Sequence, residues 1–177
     1  DISDVDVEIL RELNSGFFED GEFRYGTVRG DAELTRRRIE NVKRYRIDRV
    51  VREFPRFEPL VPQCAHWVRA IVGLHFFPDA NHRTAVSTLA AVLREQDYLS
   101  PESTWPFEWI DIAVTRSKLL RGYHCDVRFD TLWERDELYY HWERYFKYNL
   151  FDTDKRSRNS TPPEFLDHVL EYSRDVR

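Results

Sequence analysis

Nine consecutive residues, His75-Phe76-Phe77-Pro78-Asp79-Ala80-Asn81-His82-Arg83, place an imidazole, a carboxylate, a carboxamide and a guanidinium within one short stretch. Each type has a distinct use in moving a phosphate-bearing group. A neutral imidazole accepts a proton from an attacking hydroxyl near neutral pH, which makes His75 a candidate catalytic base. A carboxylate beside a polyphosphate is a natural Mg²⁺ ligand, which assigns the metal to Asp79. Arg83 offers a forked, permanently charged grip on a phosphate oxygen. Ala80 is small enough to let the backbone approach a ligand, and Asn81 is a residue type that caps helices or ties a loop by hydrogen bonds.

These residues act together only if a loop runs into a helix there, because the first backbone N–H groups of a helix lack intrahelical acceptors and carry its positive dipole end. The sequence supplies that arrangement. Cys64, Trp67, Val68, Ile71 and Val72 form an apolar helical stripe ending near the motif, Pro78 interrupts it, and Val86, Leu89, Ala90 and Leu93 resume the spacing from Asn81 to about Gln96. Upstream, an amphipathic stretch covers Val5 to Leu13, and Phe17 to Tyr25 surrounds Asp20-Gly21 with aromatic residues, the composition of a β-hairpin. Arg36 to Arg56 reads as one amphipathic helix, buried through Ile39, Val42, Val50 and Phe54, whose basic face is solvated in the favoured reading and a surface for nucleic acid or an acidic partner protein in the other. Further helices are expected over Trp109 to Leu120 and Leu132 to Tyr148, then a polar loop from Asp152 to Pro163 and a last short helix.

A chain of 177 residues, 41% hydrophobic and 33% charged, suits a single folded domain. No apolar run reaches the roughly 18 residues of a membrane span, and no signal segment opens the sequence as given, so a cytoplasmic setting without membrane contact is expected. The net charge of -5 argues against nucleic acid as a partner, and the acidic residues between the aromatics of Trp133 to Tyr148 favour core packing or burial against a second copy over base stacking. Cys64 and Cys125 form no framework and read as buried thiols, while His66, His124 and His141 read as hydrogen-bonded core. A mixed metal site using Cys64, His66, His75, Asp79 and His82 is disfavoured by Pro78, which prevents His75 and Asp79 from sharing a helix face.

The order His-x-Phe-x-Asp-Ala-Asn-x-Arg-Thr-Ala closely resembles the signature of the Fic/Doc family, agreeing at its fixed and near-fixed positions His75, Phe77, Asp79, Ala80, Asn81 and Arg83. Phe23-Arg24-Tyr25-Gly26 resembles the Arg-Tyr-Gly segment of the Doc branch. The resemblance implies an all-α bundle with a small β-hairpin flap, a catalytic domain over residues 1–125 and a helical extension over 126–177 packed on the same core. It implies a transferase that uses ATP or another nucleoside triphosphate with Mg²⁺ to modify a hydroxyl of a target protein. His75 would be the base, Asp79 the metal ligand, and Ala80, Asn81, His82 and Arg83 the phosphate-binding residues. The target would dock at the flap near Asp20-Gly21, with an antitoxin and a second copy of the chain as further candidate partners. Adenylylating members usually carry a glycine before the first arginine and a second arginine three positions beyond it. His82 and Val86 stand there, which favours phosphoryl transfer, as in Doc-like toxin kinases, over AMP transfer. A non-catalytic binding member of the family is the remaining alternative. Ser15-Gly16-Phe17-Phe18-Glu19-Asp20 imperfectly resembles the family's inhibitory helix.

Overall fold

Val7, Leu10, Asn14, Phe17 and Phe18 recur at helical intervals of three and four, and Asp6 accepts the Glu8 and Ile9 N–H groups on Oδ1 at 2.9 and 3.0 Å, which starts a helix. In the computed structural model that helix is the first of seven among the described residues, which are 5–19, 31–100 and 109–151 with Ile2, Glu102, Trp105 and Pro106. The helices are α1 (Val7–Glu19), α2 (Ala32–Glu40), α3 (Arg44–Arg52), α4 (Leu60–Leu74), α5 (Asn81–Glu95), α6 (Ile110–Tyr123) and α7 (Glu137–Phe151). The chain is all-α, with no strand among the described residues and no described helix long and apolar enough to cross a membrane.

Helix α4 is the axis of the bundle. Ten of its residues, Val61 and Cys64 to Val72, are buried, and a helix apolar on nearly every side must be wrapped by others. Helices α5 and α7 pack on it, α6 packs on α7, and α1 lies against α5, α2 and α3. Tyr139, Trp142 and Phe146 of α7 are fully enclosed in the same core as Trp67, Ile71 and Phe77.

Three sequence expectations are corrected. Phe17, Phe18 and Glu19, expected in the first arm of a hairpin, complete α1, because they continue its apolar stripe. The rest of that hairpin, with Asp20-Gly21, and the expected elements beyond Phe151 lie outside the described residues. The single basic helix is two: the Asn41 side chain donates to the Arg37 carbonyl at 2.7 Å and closes α2, and α3 starts after Lys43. Its cations are partly neutralised along the helices by Arg37–Glu33, Arg44–Asp48 and Arg49–Glu53 pairs. Finally, α7 begins at Glu137 rather than Leu132, because Asp136 takes the capping position and accepts the Tyr139 N–H at 3.0 Å.

Asp136 is held there by Arg69, which is completely buried. Its Nε and Nη2 donate to the two Asp136 oxygens at 2.9 and 2.8 Å, and Nη1 donates to the Thr131 and Leu132 carbonyls at 2.9 and 2.8 Å. Burial works to raise the Asp136 pKa, but the Arg69 hydrogen bonds and charge and the Tyr139 N–H together bring it below the ordinary value. Removing one member of a buried pair strands the other. Arg69→Met is therefore expected to lower unfolding free energy by about 3–5 kcal/mol in urea titrations.

Acid should act in two windows. His66, His82 and His141 are buried, and desolvation, first among the causes, lowers their pKa values from 6.5 to about 4, 3 and 4. The unfolded chain then binds more protons than the folded one between those values, so stability should fall as pH drops from about 6.5 to about 3. The depressed Asp136 adds a further loss as pH falls below 3.8 and through its folded pKa. Urea midpoints measured across pH 7.5 to 2.5 check both windows, and Asp136→Asn should flatten the lower one.

Candidate active site

Helix α4 ends at His75 in the left-handed conformation (φ 47°, ψ 61°), and α5 begins after Ala80, also left-handed (φ 57°, ψ 18°). Such backbone costs a residue with a side chain on the order of 1–2 kcal/mol, so each position must be held by its surroundings. Asn81 does much of this. Its Oδ1 accepts the Phe77 N–H at 3.0 Å and its Nδ2 donates to the Phe77 carbonyl at 2.8 Å, closing the loop on itself. Phe77 is almost wholly buried and anchors the loop in the core.

Helix α1 holds the loop from the other side. Asn14, fully buried, donates through Nδ2 to the Asp79 carbonyl at 3.0 Å and to Thr84 Oγ1 at 2.9 Å, while Thr84 Oγ1 donates to the Ala80 carbonyl at 3.0 Å. Helix α5 is fixed to α4 by the Trp67 indole, which donates to the Ala85 carbonyl at 3.1 Å. Gly73 lets the chain after α6 close on the end of α4: a Cβ there would lie 2.4 to 2.7 Å from the Cβ and methyl carbons of Val127.

The structure brings His75, Asp79, Ala80, Asn81 and the backbone of His82 and Arg83 to this one junction. His75 is exposed at its edge. Desolvation by the surrounding chain, then the Arg121 charge, lowers its pKa against the opposing pull of Asp79, so the ring is neutral and able to accept a proton near pH 7. Asp79 Oδ1 accepts the Ala80 N–H at 2.6 Å, and the carboxylate has no ion-pair partner among the described residues. Arg83 is half-buried with its guanidinium 5.9 Å from the centre of the Phe17 ring, so the last turn of α1 borders the junction. Arg46 of α3 lies over the Phe76 ring at 5.1 Å, bringing part of the basic face close to the loop.

His82 is placed differently from the sequence expectation of a phosphate contact. Its side chain enters the core, with Nε2 2.9 Å from Ser117 Oγ, and that hydroxyl accepts the Trp142 indole N–H at 3.1 Å. Trp142 thereby leaves the Ser117 proton for an unprotonated imidazole. Burial, then Lys118 and Arg121, push the His82 pKa down to about 3, so the ring brings no positive charge to the loop and only its backbone N–H can face a ligand. His124 is exposed after α6 instead of buried, while His66 and His141 are core residues. Cys64 and Cys125 are buried, with burial pushing the Cys64 thiol up to about 12. No cluster of three or more His, Cys, Asp or Glu side chains among the described residues is arranged to hold a metal.

Asn81 is also the key to what the start of α5 can do. Helices α1, α2 and α7 open with aspartate caps, while α3, α4 and α6 share with α5 the lack of a side-chain cap. What distinguishes α5 is that a carboxamide at its first residue is turned back onto Phe77, leaving first-turn N–H groups without that partner. An anion can bind such an end.

Compared with known proteins, the chain matches no family model, no curated protein and no solved structure.

Two residues that bear on the junction escaped the sequence reading. Asn14 was visible as a polar residue inside the apolar stripe of α1, whereas Arg121 gives no local signal and reaches the site only through the path of α6. If Asn81 holds the loop as described, Asn81→Ala should lower stability by about 2–4 kcal/mol by stranding two backbone groups. Asn81→Asp, which can still accept the Phe77 N–H, should fall between the two in thermal melts.

Proposed function

We propose that this chain is a nucleotide-dependent, protein-modifying transferase of the Fic/Doc type, moving a phosphoryl group from ATP or another nucleoside triphosphate to a hydroxyl of a target protein. The observation carrying the reading is the double hydrogen bond between Asn81 and the Phe77 backbone. It sets the exposed His75 on one side of a closed loop and the uncapped first turn of α5 on the other, a base and an anion seat joined by six residues from 75 to 80.

His75 accepts the proton of the target hydroxyl as its oxygen bonds to the γ-phosphorus. The bond from that phosphorus to the β,γ-bridging oxygen breaks, and the nucleoside diphosphate leaves with the electron pair. The first-turn N–H groups of α5 and the Arg83 guanidinium hold phosphate oxygens throughout, and their fixed positions favour the charge that spreads over the transferring group. Asp79 suits Mg²⁺, because this ion commonly takes one carboxylate and completes its shell with water and substrate phosphates. When bound it neutralises phosphate charge, with Asp79 as its carboxylate ligand.

Phosphoryl transfer is favoured over AMP transfer because the place of the second arginine is Val86, whose side chain is buried. The test incubates the chain or its His75→Ala variant with ATP, Mg²⁺ and cell-lysate proteins, and reads intact masses. A target should gain one phosphate, with the rate falling at least 100-fold in His75→Ala while ATP affinity changes less than about threefold, since the base touches the hydroxyl and not the phosphates. A gain of one AMP would replace kinase by adenylyltransferase, and no gain with any nucleotide would favour a binding role for this fold.

A further inference from the structure

Arg69 and Arg121 are both drawn into the protein, and their surroundings differ. Arg69 donates four hydrogen bonds and lies flat against Asp136. Arg121, in the last turn of α6, is half-buried, and its Nε is enclosed without a hydrogen-bond partner among the described residues. A buried donor left unanswered costs about 1–3 kcal/mol, a cost that an incoming acceptor would relieve.

The position of α6 brings this donor to the junction. Ser117, one turn earlier on the same face, meets His82 of α5 at 2.9 Å, and Val127 just beyond the helix fills the space beside Gly73 at the end of α4. These two contacts fix the last turn of α6 beside the loop, and the Arg121 charge acts on both His75 and His82. Arg121 also borders an open depression of about 410 Å³ lined by the segment from Arg121 to Asp126, so its side of the helix faces solvent.

We propose that Arg121 is the second cation of this site, taking an oxygen of the polyphosphate whose other oxygens meet Arg83 and the first turn of α5. The inference rests on the nucleotide site proposed above. It gives a charge from another helix the place that Val86 leaves empty of charge in α5. Burial lowers the Arg121 pKa, which is consistent with a guanidinium awaiting an anion.

Binding of ATP and of inorganic tripolyphosphate, measured by calorimetry without any target protein, tests this apart from catalysis. Wild type, Arg83→Gln, Arg121→Met and Arg121→Lys are compared, with Arg116→Gln as a control that removes an exposed charge from the same helix. Arg121→Met should weaken both ligands by tenfold or more, Arg121→Lys by less, and Arg116→Gln by under twofold. The thermal midpoint of ligand-free Arg121→Met should stay level or rise, because an unanswered buried donor has gone. A purely structural arginine would give the opposite pattern, a lower midpoint with unchanged affinity, and that result overturns the inference. Weakening by Arg83→Gln with none by Arg121→Met also overturns it, yet leaves the nucleotide site standing. Failure of the wild-type chain to bind either ligand removes both readings.

Discussion

A guanidinium with no access to water has to be answered completely by its neighbours, and Arg69 is answered by one short segment of chain. Its donors draw Thr131, Leu132 and Asp136 onto the middle of α4, and Asp136 is at once the counter-ion and the cap of α7. One buried pair therefore fixes where α7 begins, which side of α4 it covers and how the chain leaving α6 must travel. That path carries Val127 to Gly73, two residues before His75. Much of this pair's Coulomb attraction is offset by the cost of drying two charges. Its contribution is positional: apolar side chains could fill the same volume, but they would not specify one register of α7 on α4 in this way.

The junction built on that frame combines rigidity with open valences. His75 and Ala80 hold backbone conformations that glycine adopts more easily. They are kept there by Asn81 from within, by Phe77 from the core and by Asn14 from α1. The phosphoryl transfer proposed above would use such a surface, because positioned dipoles that need not rearrange do most of the catalytic work in that chemistry. The charges are arranged with similar economy. His82 is neutral and inward, Asp79 has no ion-pair partner among the described residues, and the Arg83 guanidinium lies over the Phe17 ring at the end of α1.

The helices that flank the motif were legible in the sequence because α4 and α5 have long, regular apolar spacing and Pro78 separates them. Asn81 as a loop tie was legible too, from the hydrogen-bonding capacity of its side chain. The boundary errors have a common origin. Apolar periodicity marks where a helix can be buried, but the ends were set by single polar groups whose partners are tertiary or lie one turn away: Asn41 on Arg37, and Asp136 on Arg69. Phe17 and Phe18 suit a strand as well as a helix, and packing of α1 on α5 decided between them. The inward direction of the His82 side chain was not legible, because a polar residue beside a helix start can face a ligand or the core. Its partners, Ser117 and Trp142, lie on helices far along the chain.

Asn14 joins α1 to the junction with one amide group, donating both to the Asp79 carbonyl and to Thr84, while its own Oδ1 remains buried and unanswered among the described residues. A tether of this kind transmits in both directions. If the proposed anion stiffens the loop, the free energy is shared with α1, and a partner that held the end of α1 would alter the loop's affinity by the same factor, since coupling between two binding events is reciprocal. The amide protons of α1 would thus report on occupancy of the proposed site, exchanging more slowly with solvent when it is filled.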